Sequence, residues 1–172
     1  EFQSRGAFEN ARAGARGAAM GSAFTAVADD ATAPAWNPSG ISAHGKKNLV
    51  EGAFMYVNPY GIDGFHSIYA GAILPSLVFG NAIAWHGAVS YHRLAVKDVY
   101  NENSIGFNVA IGPIIGVSAG ASLNIQTISP SGFQEQDGDP LIKARSGISF
   151  DLGIRFTPPV KKLRGATFAF SL

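Results

Sequence analysis

The chain has 172 residues, of which 47% are hydrophobic and 15% charged, with a formal net charge of +1. That is enough chain for one domain with its own core, too apolar for intrinsic disorder, and too nearly neutral for a fold held on nucleic acid by a broad basic face. Cysteine is absent, which excludes a disulfide framework and a thiolate zinc site, while 21 Gly and 9 Pro in an apolar chain disfavour a helix bundle and favour strands and turns.

Residues 1–45 are rich in Ala and Gly and carry no strand alternation. Asp29-Asp30 and the run Ala33-Pro34-Ala35-Trp36-Asn37-Pro38 break any helix there into short pieces. Pro38 keeps Asn37 out of the helical region and fixes a bend, with Ser39 placed to cap local donors. The glycines at 14, 17 and 21 do not form a dinucleotide loop, since no strand precedes them and no second half of such a unit follows.

From residue 46 onward the chain alternates with a period of two. Val50, Gly52, Phe54 and Tyr56 alternate with Glu51, Ala53, Met55 and Val57. Residues 66–77 form a second strand with weaker alternation. Ile83, Trp85, Gly87, Val89 and Tyr91 alternate with Ala84, His86, Ala88, Ser90 and His92, and Ile105, Phe107, Val109 and Ile111 with Gly106, Asn108, Ala110 and Gly112. Val117, Ala119, Ala121, Leu123 and Ile125 alternate with Ser118, Gly120, Ser122, Asn124 and Gln126. Ile148, Phe150, Leu152, Ile154 and Phe156 alternate with Ser149, Asp151, Gly153, Arg155 and Thr157, and Phe168, Phe170 and Leu172 open a seventh strand. Two stretches without Asp, Glu, Lys or Arg, Gly64–His92 and Asn103–Gln134, are long enough for membrane helices, but their Gly, Pro, Asn and His content and the period of two argue for strands.

Strands near ten residues long match the ~9–11 residues of a transmembrane strand better than the ~5–6 of a soluble one. In a membrane barrel the apolar set faces lipid and the small and polar set lines the lumen. A soluble β-sandwich binding module shows the same alternation and is the competing fold. The spacing predicts short or compact connections at Val78–Asn81, Gly112–Gly116 and Pro158–Gly165, an intermediate one at Asn58–Gly64, and long charged ones at Leu94–Asn103 and Ile128–Ser146. Short turns at one end and long loops at the other fit a barrel entered from the periplasmic side.

The segments Gly14-Ala-Arg-Gly-Ala-Ala-Met-Gly21, Ala23-Phe24-Thr25-Ala26-Val27-Ala28-Asp29-Asp30-Ala31 and Trp36-Asn37-Pro38-Ser39-Gly40 resemble the N-terminal signature of the FadL-type outer-membrane transport superfamily. The paired Asp29-Asp30 and the Trp before Asn37 bring the resemblance nearer to the PorV-like branch; Asn-Pro-Ser-Gly stands where the family has Asn-Pro-Ala-Gly. The resemblance implies a fourteen-stranded antiparallel barrel in the outer membrane of a diderm bacterium. Residues 1–45 would form a helical or irregular hatch inside the lumen, and 46–172 about seven strands of an incomplete barrel. Seven strands alone leave two open edges, which a bilayer does not permit, so the chain is expected to be part of a larger barrel.

Three functions follow: passive transport of hydrophobic small molecules, a non-transporting barrel subunit that docks protein partners in a secretion or surface-attachment complex, and a soluble binding module. The candidate ligand and hatch contacts are Met20, Phe24, Trp36, Asn37 and Pro38. The candidate lumen polar network is Arg16, Asp29, Asp30, Glu51, His86, His92, Asp151 and Arg155, with Asp29 or Asp30 expected to meet a basic or backbone donor, Arg16 an acid such as Glu51 or Asp151, and further hatch charges at Glu1, Arg5, Glu9 and Arg12. No enzyme, cofactor or metal is expected. There is no Gly-x-Ser-x-Gly elbow; His86 and His92 lie about 20 Å apart along a strand, and Asp151 and Arg155 about 13 Å.

Overall fold

The computed structural model describes residues 13–44, 49–79, 83–130, 144–159 and 166–172. One antiparallel sheet contains β1 (Glu51–Val57), β2 (Phe65–Ile73), β3 (Leu77–Phe79), β4 (Ile83–Val96), β5 (Tyr100–Ile114), β6 (Val117–Pro130), β7 (Arg145–Phe156) and β8 (Phe168–Ser171). Its order is β1-β2-β4-β5-β6-β7-β8, with β3 pairing β4, and the sheet curls into a half-barrel. Among the described residues no helix is long and apolar enough to cross a membrane. A sandwich's second sheet is not found among the described residues.

The alternation read from sequence assigns the faces. Phe54, Trp85, Val89, Ile105, Phe107, Val109, Ile148, Leu152 and Ile154 all point to an uncovered outer face, where Phe150 is 74% exposed. The alternate positions, Ala84, His86, Ala88, His92, Asn108, Ala110, Ser118 and Ser122, are buried on the opposite, inner face. What buries them is residues 13–44, which run across β4, β5, β6 and β7 as a short helix α1 (Ala15–Ala19) and two 3-10 stretches, Ala33–Ala35 and Pro38–His44. The core between segment and sheet is small and largely alanine: Phe24, Ala28, Ala31, Ala33, Ile41, Ile73, Ala88 and Ala110.

Three expectations are corrected. The strand over 66–77 is two strands, because Pro75 has no N–H to donate to the ladder. Ile73 pairs with Ala88 and Leu77 with Trp85, so the three residues between them, 74–76, oppose two of β4, His86 and Gly87, and the extra residue bulges out. The long loop over Leu94–Asn103 is instead the three-residue turn Lys97–Val99, as β4 and β5 stay paired up to Val96 and Tyr100. Near this turn both faces of β5 are polar, with Asn101 and Asn103 on one and Glu102 and Ser104 on the other. Tyr91 Oη donates to Asn103 Oδ1 at 2.9 Å and Arg93 Nη2 to Asn101 Oδ1 at 3.1 Å, so pairing continues where apolar alternation stops. The short connection between β5 and β6 is the expected tight turn at Ile115-Gly116. Of the expected connection Val78–Asn81, Val78 and Phe79 belong instead to β3; residues 80–82, and 131–143 and 160–165, which hold most of two other expected connections, lie outside the described residues, as do Glu1, Arg5, Glu9 and Arg12.

Candidate functional site

The inner face is shaped by small residues that lie side by side. Ala110 of β5 pairs with Gly120 of β6, which pairs with Gly153 of β7. This flat strip is where Asn37, Pro38 and Ser39 sit. A Cβ on Gly120 would collide with the Pro38 and Ser39 backbone, and one on Gly153 with Asn37 Oδ1 and Pro38 Cδ. Gly71 of β2 makes the same allowance for the Ala31 carbonyl and the Tyr69 hydroxyl.

Asn37 is fully buried and fastens the segment to the wall. Its Nδ2 donates to the carbonyls of Thr25 at 3.2 Å and of Ile154 in β7 at 3.4 Å. Its Oδ1 accepts from Ser39 N at 3.0 Å and Ser39 Oγ at 2.6 Å. Asn37 therefore caps the 3-10 turn that Pro38 opens, the role expected of Ser39. Buried Tyr69 adds a second tie, donating from its hydroxyl to Ala31 O at 2.8 Å.

Of the expected hatch contacts, Phe24 is fully buried and meets Trp36 edge to face at 5.6 Å between centroids. The Trp36 indole N–H donates to Ala13 O at 2.7 Å. Phe24 thus packs the segment onto the sheet, Trp36 packs beside it, and Met20 lies out on the exposed surface.

Arg16 does not meet Glu51 or Asp151. It binds Asp29 Oδ1 at 2.8 Å and Asp30 Oδ2 at 2.7 Å and covers the Phe24 ring at 5.2 Å. Asp29 and Asp30, closer in sequence than Glu51 or Asp151, capture it, while Glu51 is occupied: its Oε1 accepts from Ala31 N at 3.1 Å, and its Oε2 lies 3.2 Å from Nδ1 of buried His44. Partial burial pushes the Asp30 carboxyl up, but hydrogen bonds from the Thr32 hydroxyl and backbone N–H and from Arg16 outweigh it and hold the group below its ordinary value. A depressed carboxyl contributes stability that is complete above its unfolded value of about 4 and is lost as pH falls through the lower folded value. Intrinsic-rate-corrected hydrogen-exchange protection of residues 13–44 is therefore expected to hold from pH 7 to about 5 and to fall below about 4, with Asp30→Asn shrinking that fall.

The remaining expected network members share the inner face without contacting one another. His86 is fully buried beside the Gly112 backbone, with neither ring nitrogen in good hydrogen-bond geometry. His92 Nε2 meets Ser67 Oγ at 3.1 Å, and its Nδ1 is buried without a partner, as is Nη1 of Arg155. Asp151 accepts from Asn124 Nδ2 at 2.6 Å. The connected polar residues are ones the sequence reading did not single out. Ser122 Oγ donates to Asn108 Oδ1 at 2.5 Å, and Asn108 Nδ2 donates to Ala88 O and Ser90 Oγ at 3.2 and 3.4 Å. Buried Glu102, facing the Tyr100 hydroxyl, also escaped notice. Their signal was Asn or Glu at an inward position of an otherwise small-residue strand.

Between the 34–38 turn and the wall lies a cavity of about 240 Å³, lined by Trp36, His92, Ser104, Asn124, Gln126 and Asp151 among others. It is the polar counterpart of shallow apolar grooves on the outer face, such as that between Trp85 and Leu152. Among the described residues no three His, Asp or Glu are grouped to hold a metal ion. Comparison with protein-family models, curated proteins and solved structures finds no match to this chain.

Proposed function

We propose that the chain is wall and plug of an outer-membrane β-barrel of the FadL/PorV-like type, with residues 1–45 as the plug, passing hydrophobic small molecules through its lumen. The observation that carries this is the distribution of faces. Long strands present Phe, Ile, Leu, Val and Trp to an uncovered outside, and their small and polar face is occupied by the chain's own N-terminal segment. Lipid would cover the outer face, as it does in barrels whose strands alternate apolar-out and polar-in. The polar pairs Tyr91–Asn103 and Arg93–Asn101 fall where such an apolar band ends. Both β1 and β8 have one unpaired edge among the described residues, so a membrane-embedded sheet needs further strands at both.

A docking subunit is the second reading, favoured by a specific observation. The plug is pinned by Asn37, Tyr69 and Glu51, and Phe24 and Trp36 are spent on packing it rather than on a greasy pocket. Uptake of a fluorescent fatty acid by liposomes carrying the reconstituted protein separates the two. Transport gives uptake above empty liposomes, increased when Asn37→Leu loosens the plug. Uptake at the empty-liposome level with both proteins rejects transport in favour of docking.

A further inference from the structure

We propose that the cavity between the 34–38 turn and the inner wall is a binding site for a small organic cation. The inference rests on the packing of residues 13–44 against the sheet and does not require the lumen to conduct.

Size comes first. A cavity of about 240 Å³ is far larger than one water needs and has room for a solute of modest size. Charge comes second. Asp151 is the charged group of the lining, and among the described residues no cation pairs it. Asn124 holds one carboxylate oxygen, Oδ2, at 2.6 Å, which fixes the group's direction without neutralising it. A carboxylate placed this way favours a positive ligand over a neutral or negative one.

The remaining walls fit the same chemistry. Trp36 lines the cavity, and its N–H is already committed to Ala13 O, so the ring cannot turn to donate that bond to a ligand. What Trp36 can offer a ligand is therefore its aromatic carbon surface, and aromatic rings attract ammonium groups. His92 lines the cavity with Nδ1 buried and unpartnered, its other nitrogen held at 3.1 Å by Ser67 Oγ. That nitrogen has no accessible surface, so His92 forms part of the wall and leaves recognition of the ligand to Asp151 and the neutral polar groups. Ser104 and Gln126 add polar groups on the neighbouring strands, in register with His92 across β4, β5 and β6. The cavity lies on the inner face, with the sheet between it and the apolar exterior, so a free solute reaches it more readily than a lipid headgroup tethered to acyl chains.

The test is equilibrium binding of choline and ethanolamine to the detergent-solubilised protein in a neutral maltoside. 3,3-Dimethyl-1-butanol serves as the uncharged isostere of choline. Saturable binding of at least one amine is expected, with the isostere at least tenfold weaker. Asp151→Asn, which keeps the side-chain shape, should weaken binding at least tenfold, and Gln126→Ala should weaken it less while leaving circular dichroism unchanged. Phosphatidylethanolamine in mixed micelles should not compete. Absence of saturable binding by both amines, equal binding of the isostere, or indifference to Asp151→Asn in a folded protein would overturn the site. Competition by the lipid would overturn the free-solute assignment.

Discussion

Replacing Gly153 with valine is expected to unseat residues 13–44 while leaving the strands paired. A Cβ there falls on Asn37 Oδ1 and Pro38 Cδ. Asn37 Oδ1 cannot retreat without giving up its bonds from Ser39 N and Oγ, and Pro38 has a rigid ring. Overpacking a well-filled site commonly costs ~1–3 kcal/mol, and a contact whose partners are held this firmly should lie near 3. Valine is also a good strand residue, so the local preference of β7 does not suffer. Limited proteolysis reports the effect: cleavage within residues 13–44 should rise at least tenfold, while the sheet keeps its circular dichroism. Gly147→Val is the control, since a Cβ at Gly147 meets nothing within 4 Å. Equal protection in both variants would mean that the Gly120–Gly153 strip does not seat the segment.

Asn37→Leu should be at least as damaging by a different route. The side chain is similar in size, but the donors to Thr25 O and Ile154 O and the acceptor for Ser39 disappear. Each buried polar group left unsatisfied costs about 1–3 kcal/mol, so the loss should be about 3 kcal/mol or more. The lost acceptor for Ser39 is also the cap of the turn at Pro38, so that loss is already within this figure. Asn37→Asp is informative beside it. The carboxylate keeps the acceptor for Ser39 but sets a negative charge against two carbonyls at a fully buried site, so it should also fail to hold the segment. A thermal shift of the segment's protection of less than a few degrees in both variants would contradict the role given to Asn37.

The faces of the sheet were legible because period-two alternation is a local property. Each of Phe54, Trp85, Phe107, Ile125 and Phe150 could be assigned to the outer face from its own strand. Strand ends were less legible. The hairpin at Lys97–Val99 extends pairing through Asn101 and Glu102, where both faces are polar and alternation carries no signal. Pro75 was visible, but whether the ladder stopped or bulged depended on β4 resuming at Trp85.

Within the site, Asn37-Pro38 could be identified as a bend because Pro constrains its neighbour locally. That Asn37 reaches Ile154, 117 positions on, depends on the curl of the whole sheet. For the same reason the partner of Arg16 was misjudged. Glu51 and Asp151 were candidates by charge alone, while the fold of 13–32 brings Asp29 and Asp30 within 2.8 and 2.7 Å. The row Ala110–Gly120–Gly153 could not be seen either, since each small residue looks unremarkable until register lines them up.

The central claim is that the outer face meets hydrocarbon, and single spin labels at positions 148 to 155 of the protein reconstituted in bilayers test it most directly. Collision with oxygen, which partitions into lipid, and with a water-soluble nickel chelate should alternate in opposite phase along β7. Oxygen collision should be high and chelate collision low at 148, 150, 152 and 154, where Phe150 and Ile148 are 74% and 66% exposed. The reverse order is expected at 149, 151 and 155. High chelate collision at 150, 152 and 154 would place that face in water and contradict the membrane assignment.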